Sequence, residues 1–270
     1  MKAFLSIDVE DFYHLEYFKG NINKTYSMLD GLSSFLDICE EENIPPNLFV
    51  LSDVVNIAKE QINRAISLGG EVGLHGKDHK RPLTLTKDKF IEDTIHAKKK
   101  IEDILGIEIK GYRAACFSLN RDYLNELIKI GFRYDSSYIN FIEHPLYGYI
   151  DCSDMFANGN GIYSLKEFNE YEITTPVILK KKIPVTGGGY FRLFPYKVIE
   201  MLSNQLIHEN QIINFYTHPF ELSEKRFPKN DMSLVNKIRA GYNIGSTTKK
   251  RLAKFINHIK EHKYEFTTYE

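Results

Sequence analysis

Short apolar runs alternate with amphipathic stretches along most of this chain. The short runs, which are typical of buried strands, lie at 2–7, 47–51, 71–74, 109–113, 131–135, 211–216 and 264–268. Apolar residues three or four positions apart predict helices at 27–42, 53–68, 87–105, 121–130, 195–207 and 247–262. Because strands and helices alternate, we expect an α/β fold with a parallel sheet or a (β/α) barrel.

Polar residues mark where several of the predicted helices begin. Ser52, Thr86 and Asn120 each stand directly before a helical pattern, where their side chains can accept a hydrogen bond from a free backbone N–H. The region from about 139 to 189 interrupts the alternation and is rich in Gly, Asn, Pro and Tyr. We interpret it as an insertion of loops and short strands within a single domain that spans 1–270.

The composition limits the classes of partner. Lysines plus arginines nearly balance the acids, at a net charge of −1, so no general attraction to nucleic acid or anionic membranes is expected. The three cysteines form no paired motif, and no apolar stretch is long enough to span a membrane. The apolar segment at the start is too short for a signal peptide, so we expect a cytoplasmic protein. The sequence leaves the oligomeric state open.

Five polar residues lie at or just beyond the carboxyl ends of predicted strands. They are Asp8, His75, Arg113, Asp135 and His218. In a βα barrel these strand ends share one face, which is where such enzymes place their chemistry. Each residue also has an ordinary structural interpretation: Arg113 could form an ion pair, while Asp135 and His218 could belong to turns.

A pair of histidines and an acidic run together suggest a metal site. His75 and His79 are four residues apart, which is one helical turn, so both imidazoles can point in one direction. Two imidazoles and a carboxylate, with one position left to water, form a common catalytic zinc arrangement. The carboxylate would come from Asp8-Val-Glu-Asp11. The alternatives are exposed histidines at a helix start and an acidic helix cap.

These motifs resemble those of the polysaccharide deacetylases, carbohydrate esterase family 4. The resemblance is strongest to a branch with an Asp-Val-Glu-Asp motif, a Gly187-Gly-Gly-Tyr-Phe-Arg192 segment and a Phe215-Tyr-Thr-His-Pro219 segment. It extends from about residue 3 to the last helix. The resemblance implies a distorted (β/α) barrel and one bound divalent metal ion, most commonly Zn²⁺.

The resemblance also implies a role for each motif residue. Asp8 would be the general base, oriented by Arg113, and His218 the general acid. His75, His79 and Glu10 would bind the metal, with Asp11 as the alternative to Glu10. The Cys116 N–H would stabilise the oxyanion, Asp135 would tune His218, and Tyr190 and Arg192 would contact substrate. Two positions depart from the family pattern: Ala115 replaces a proline and Tyr216 replaces a leucine.

We therefore expect a hydrolase that removes the N-acetyl group from an N-acetylated amino sugar in a glycan or glycan precursor. An amide is a poor electrophile and water a poor nucleophile, and a divalent metal, a base and an acid together address both problems. Two other functions stay open: hydrolysis of a cyclic amide or ureide on the same barrel, and non-catalytic carbohydrate binding.

Overall fold

A curled sheet built around the first strand organises the fold. The computed structural model describes residues 1–16, 25–141, 144–178, 180–228 and 234–270. Its strands are β1 (Lys2–Val9), β2 (Asn47–Val50), β3 (Glu71–Leu74), β4 (Gly111–Tyr112), β5 (Tyr134–Asp135), β6 (Phe156–Ala157), β7 (Ile162–Leu165), β8 (Phe168–Tyr171), β9 (Val177–Ile178), β10 (Lys181–Lys182), β11 (Ile213–Thr217) and β12 (Glu265–Phe266). The main sheet has the order β11-β1-β2-β3-β4-β5-β8-β7-β6, and β12 pairs with the start of β1.

Neighbouring strands from β11 to β8 pair parallel, whereas β7 pairs antiparallel with both β8 and β6. The helices are α1 (Asp30–Glu41), α2 (Lys59–Ser67), α3 (Lys87–Leu105), α4 (Arg121–Ile130), α5 (Gly188–Leu193), α6 (Tyr196–His208), α7 (Pro219–Leu222), α8 (Leu234–Gly241) and α9 (Ser246–Glu261). This is a mixed α/β fold with a half-barrel sheet, which confirms the predicted distorted barrel.

Alternation along β1 separates the outer core from the barrel interior. Ala3, Leu5, Ile7 and Val9 pack into the large apolar core beneath the helices. Phe4 belongs to a second, aromatic cluster in the barrel interior. Because successive side chains of a strand point to opposite faces, Asp8 lies on the interior side with Phe4.

The gap between β8 and β11 is bridged by the chain that precedes α5. The Tyr216 N–H donates to the Thr186 carbonyl at 3.1 Å, and Gly187 forms an isolated bridge with Tyr216. A Cβ on Gly187 would lie 2.3 Å from the Tyr216 carbonyl oxygen and 2.4 Å from its ring. Glycine is therefore required here for backbone and ring to approach each other.

Several predicted element boundaries are confirmed. The Thr86 side chain accepts from the Lys89 N–H, and the Asn120 side chain accepts from the Tyr123 N–H. Gly106 ends α3 in the left-handed conformation, as expected of a helix C-terminal glycine.

Other predictions were wrong. Ser52 caps no helix, because residues 53–58 form turns and α2 begins only at Lys59. Within the 139–189 region, β8 pairs with β5 and extends the main sheet. Two helices were not predicted: the short helix α5 begins within the triple glycine, and α8 lies in a polar segment without a clear helical pattern. Across the described ranges, every helix is too short or too polar to cross a membrane.

We predict that Gly31→Ala destabilises the protein and displaces the segment that follows β11. Gly31 lies in the first turn of α1, where an added Cβ would meet the Pro219 carbonyl oxygen at 1.8 Å. Overpacking of this kind costs about 1–3 kcal/mol or more. Urea unfolding should show the loss, whereas Ser33→Ala in the same helix should be close to neutral. Equal stabilities of the two variants would contradict this packing.

Candidate metal centre and catalytic cavity

A cavity of about 490 Å³ opens at the carboxyl ends of β1, β3 and β11. Its wall includes these predicted site residues: Asp8, Glu10, His75, His79, Cys116, Tyr190, Arg192 and His218. Arg113 lies beneath the cavity, behind Asp8, and is fully buried. The sequence therefore identified most residues of one shared site, although they are up to 210 positions apart (from Asp8 to His218).

Three predicted ligands meet at one point of this cavity. One ligand atom each from Glu10, His75 and His79 lies within 4.8 Å of the others, and all three residues are buried. Glu10 Oε2 lies 2.9 Å from His79 Nε2. Yet within the described residues neither Glu10 oxygen has a hydrogen bond of acceptable geometry. A buried carboxylate without hydrogen bonds is costly, so this donor set fits a bound divalent cation.

The two histidines converge by a route that the sequence did not predict. They do not lie on one helical turn: His75 follows β3, and His79 stands in a loop with a left-handed φ of 63°. Gly76, at φ 98°, begins the reversal. The loop brings the imidazole centroids to 5.4 Å. The predicted convergence is thus observed, but the helical reason for it was wrong.

A backbone contact sets the tautomer of His75. Its Nδ1 lies 2.9 Å from the Arg113 carbonyl oxygen, which can only accept, so Nδ1 carries the hydrogen. The Nε2 lone pair is then left facing Glu10 and Asp8. Burial lowers the pKa of His75 to about 4, so its imidazole is neutral near pH 7, the form that binds metals.

The structure distinguishes the two candidate acidic ligands. Asp11 caps the short turn Phe12–His14, and its Oδ1 accepts from the N–H groups of Phe12 and Met28 at 2.8 and 2.9 Å. Its Oδ2 has no hydrogen-bond partner among the described residues, but it lies outside the cluster. Glu10, rather than Asp11, is the carboxylate beside the two imidazoles.

Arg113 holds Asp8 from below. Its Nη1 donates to Asp8 Oδ1 at 2.8 Å and to Ser6 Oγ at 2.9 Å. The guanidinium carbon lies 4.0 Å from the centre of the Phe49 ring. Asp8 Oδ2 is left toward the cavity, 4.0 Å from His75 Nε2. A carboxylate fixed in this way keeps one oxygen available as a base.

His218 has a carboxylate partner that the sequence reasoning missed. Its Nδ1 lies 3.1 Å from Glu221 Oε2, and its Nε2 lies 3.6 Å from Glu10 Oε1. Burial opposes the charged imidazole, but the hydrogen bond and charge of Glu221 outweigh it and raise the pKa of His218 to about 9. An acid three residues beyond a polar residue, with proline between them, is a helix-start pattern that could have indicated Glu221.

Arg192 engages this carboxylate instead of extending freely into the cavity. Its Nε donates to Glu221 Oε1 at 2.5 Å, and its terminal nitrogens donate to the carbonyls of Arg239 and Tyr242. These contacts give Arg192 a role in holding Glu221, and the substrate contact expected of it stays a prediction. Tyr190 lies half-buried at the cavity wall, where a substrate contact remains open to it.

The turn after Arg113 places Cys116 at the cavity wall. Cys116 and Phe117 both have positive φ, at 52° and 51°, an uncommon conformation for such residues. Ala115, where the family pattern has proline, begins this turn. The conformation suits the oxyanion contact predicted for Cys116.

Asp135, like Arg113, does not line the cavity, and unlike Arg113 it hydrogen-bonds to no described residue that does. It is fully buried, and its Oδ1 accepts from Ser137 Oγ at 2.8 Å. The carboxyl group of Glu170 lies against it. Burial raises the pKa of Asp135 to about 6, and burial followed by the charge of Asp135 raises the pKa of Glu170 well above its usual range. Glu221, not Asp135 as predicted, is therefore the carboxylate that most raises the pKa of His218.

Comparison with known proteins gives two consecutive matches. Residues 27–134 match the polysaccharide deacetylase family model, and residues 136–269 match a domain of unknown function, DUF3473. A Helicobacter pylori protein named peptidoglycan deacetylase is 26% identical over 117 residues, which cover 43% of this chain and 40% of that protein.

Solved structures share the fold at low identity. A mutant of a Bacillus anthracis family 4 pseudoenzyme, with restored activity, has a TM-score of 0.56 at 13% identity; the match covers 99% of this chain and 65% of that chain. A Mycobacterium smegmatis protein described as a polysaccharide deacetylase has a TM-score of 0.55 at 16% identity, covering 90% and 81%. The chain thus spans less than two thirds of the H. pylori protein (40%) and of the B. anthracis protein (65%). Residues 27–134 thus match the polysaccharide deacetylase family, which confirms the predicted resemblance for that part of the chain.

We predict that Glu10→Ala abolishes tight binding of a divalent ion, while Asp11→Ala does not. Mutating residues that only hydrogen-bond to a metal ligand already lowers metal affinity about 10–100-fold, so removing a ligand itself should lower it further. Isothermal titration of chelator-treated protein with Zn²⁺ would measure it. Asp11→Ala should instead lose about 0.5–2 kcal/mol of stability, as for a lost helix cap. Loss of binding in Asp11→Ala alone would reverse the ligand assignment.

A second prediction concerns the buried pair Asp135 and Glu170. Both have native pKa values above their usual ones, so the native state binds more protons than the unfolded chain from about pH 4 up to these raised native values. Stability should therefore fall as the pH rises through this window. Glu170→Gln keeps an acceptor for the N–H groups of Ser137 and Tyr138 and should remove about 1–3 kcal/mol of that fall.

Urea unfolding at several pH values would test this pair. Glu167→Gln, an exposed carboxylate on the same hairpin, serves as the control and should follow the wild type. If Glu170→Gln and the wild type lost equal stability between pH 4 and 7, the raised pKa values would be wrong.

Proposed function

We propose that this chain is a metal-dependent hydrolase that removes the N-acetyl group from an N-acetylated amino sugar in a glycan or glycan precursor. The observation that carries the proposal is the buried Glu10–His75–His79 cluster, with Asp8 on one side and His218 on the other. Amide hydrolysis at a metal needs these three components within reach of one reacting carbon: a cation site, a base and an acid.

The donor set fits a single divalent ion, and Zn²⁺ is the ion that two imidazoles and a carboxylate hold most commonly in hydrolases. When bound, such an ion polarises the amide carbonyl and lowers the pKa of water. The fit is supported by Glu10, whose two buried oxygens have no hydrogen bonds among the described residues, and by the His75 tautomer.

Asp8 and His218 would divide the proton transfers. Asp8, with Oδ1 held by Arg113, takes the proton of the attacking water on its other oxygen. His218, whose Nδ1 hydrogen points to Glu221, gives the Nε2 proton to the departing amine. The raised pKa of His218 keeps its imidazole protonated near neutral pH, as a general acid requires. The Cys116 N–H would stabilise the developing oxyanion.

The cavity wall supports a sugar as substrate. Aromatic rings of Tyr147, Tyr190 and Phe220 line it beside the polar cluster. Apolar ring faces with a few fixed polar groups are typical of sites for sugars and other small molecules. The H. pylori relative is named for peptidoglycan, which carries N-acetylated amino sugars, and this class is our first choice of substrate.

We expect Asp8→Asn to lower kcat for acetate release about 10²–10⁴-fold without loss of the bound metal, since it removes the base and leaves the ligands. The substrates to test are N-acetylated chito-oligosaccharides and purified peptidoglycan fragments. Asp53→Asn, an exposed carboxylate outside the cavity, should behave as the wild type.

The same assay separates the rival functions. A non-catalytic carbohydrate-binding protein would bind these sugars, release no acetate and be indifferent to Asp8→Asn. A cyclic-amide hydrolase would open a ring such as hydantoin and leave the acetamido sugars intact. Either result with metal-loaded protein would overturn the proposal.

A further inference from the structure

We propose that Tyr269 is a positioning residue for the base of this reaction: through Arg113, its hydroxyl holds the Asp8 carboxylate in the orientation that accepts a proton. The inference rests on the proposed function for its chemistry. It assigns a role to a residue that follows β12, 261 positions after Asp8 in sequence, and that no motif singled out.

The hydroxyl of Tyr269 joins two buried side chains. Its Oη lies 2.9 Å from Arg113 Nη2 and 2.7 Å from Asn214 Oδ1. A guanidinium can only donate, so Oη accepts from Arg113 and its single hydrogen goes to Asn214. The direction of both hydrogen bonds is therefore determined, and the hydroxyl has one arrangement that satisfies its neighbours.

Together with Ser136, these contacts form a closed ring of hydrogen bonds that includes Arg113 Nη2. Ser136 Oγ accepts from Arg113 Nη2 at 2.9 Å and lies 3.1 Å from Asn214 Nδ2. The Asn214 amide is itself fixed, because Nδ2 also donates to the carbonyls of Tyr171 and Glu172. One side of Arg113 is thus held by Tyr269, Asn214 and Ser136, and the other side presents Nη1 to Asp8.

The Tyr269 ring is held as firmly as its hydroxyl. It stacks on Phe4 with ring centroids 4.7 Å apart and an interplanar angle of 5°, and on Tyr134 at 5.2 Å and 17°. Its N–H donates to Glu71 Oε2, and its carbonyl accepts from Tyr171 Oη. A group that orients another works only if its own position is fixed, and here packing and main-chain bonds fix it.

Tyr269 can affect the base without touching substrate. It is 4% exposed and does not line the cavity, whereas Asp8 does. Loss of the hydroxyl would leave Arg113 Nη2 with Ser136 alone and let the guanidinium turn about Nε. Small displacements of a catalytic group cost far more in rate than in binding, and a 1 Å error is worth about 100-fold.

The test compares two tyrosine hydroxyls in the same terminal segment. Tyr269→Phe should lower kcat for acetate release about 10–100-fold, with KM and Zn²⁺ affinity unchanged. The matched control is Tyr264→Phe, which removes another buried residue's hydroxyl, bonded to the Gln211 carbonyl, far from Arg113. It should lose comparable stability and keep its kcat. Equal kcat in the two variants would show a merely structural hydroxyl and overturn the proposal.

A double-mutant cycle tests the path of the effect. If Tyr269 acts through Asp8, Tyr269→Phe should change the residual rate of Asp8→Asn by less than about twofold. If the two losses multiply instead, Tyr269 does not act through Asp8.

Crystal structures of wild type and Tyr269→Phe give a result that needs no activity. We expect the Asp8 carboxylate to rotate and its contact with Arg113 to lengthen in the variant. An unchanged Asp8 would overturn the inference. Absence of acetate release by the wild type would count against the proposed function alone, so the two failures are distinguishable.

Discussion

The fully buried guanidinium of Arg113 is the group on which the rest of the site depends. Removing an ion from water costs several kcal/mol unless its charge and hydrogen-bond donors are all matched. Here they are: Asp8 and Ser6 accept from Nη1, Ser136 and Tyr269 accept from Nη2, and the Ser136 carbonyl accepts from Nε. The Phe49 ring covers one face. The need to match the donors of this one guanidinium thus determines which polar groups the barrel interior holds around it.

The same residue also links the base to the metal cluster. The Arg113 side chain holds Asp8, and its main-chain carbonyl receives the Nδ1 hydrogen of His75. The tautomer of the proposed ligand His75 and the orientation of the proposed base Asp8 are therefore set by one residue that follows β4. A displacement of this strand end would disturb both together.

A second arginine–carboxylate pair repeats this arrangement across the cavity. Arg192 holds Glu221, and Glu221 leaves Oε2 to His218, much as Arg113 holds Asp8 and leaves Oδ2 toward His75. Glu10 lies between these pairs without a hydrogen bond of its own among the described residues. Glu10 lies beside the imidazoles of His79 and His218 but, unlike Asp8 and Glu221, it is held by no arginine among the described residues, which leaves it available to a cation. Arg192, His218, Glu221 and Tyr269 all lie within the match to the domain of unknown function, so that segment completes the site.

The sequence by itself determined most of the strands and helices and the chemistry of the residues. Periodicity located the strands that carry Asp8, His75 and His218, and capping residues located the ends of α3 and α4. These features are local, since each depends on neighbours within one turn or one strand. Only the tertiary structure decided between Glu10 and Asp11, turned His79 back through a loop rather than a helix, moved Asp135 out of the site, and brought Glu221 and Tyr269 into it. Those outcomes depend on which buried charges and hydrogen bonds are satisfied across distant segments, and, apart from the helix-start pattern at Glu221, no local pattern along the chain indicates them.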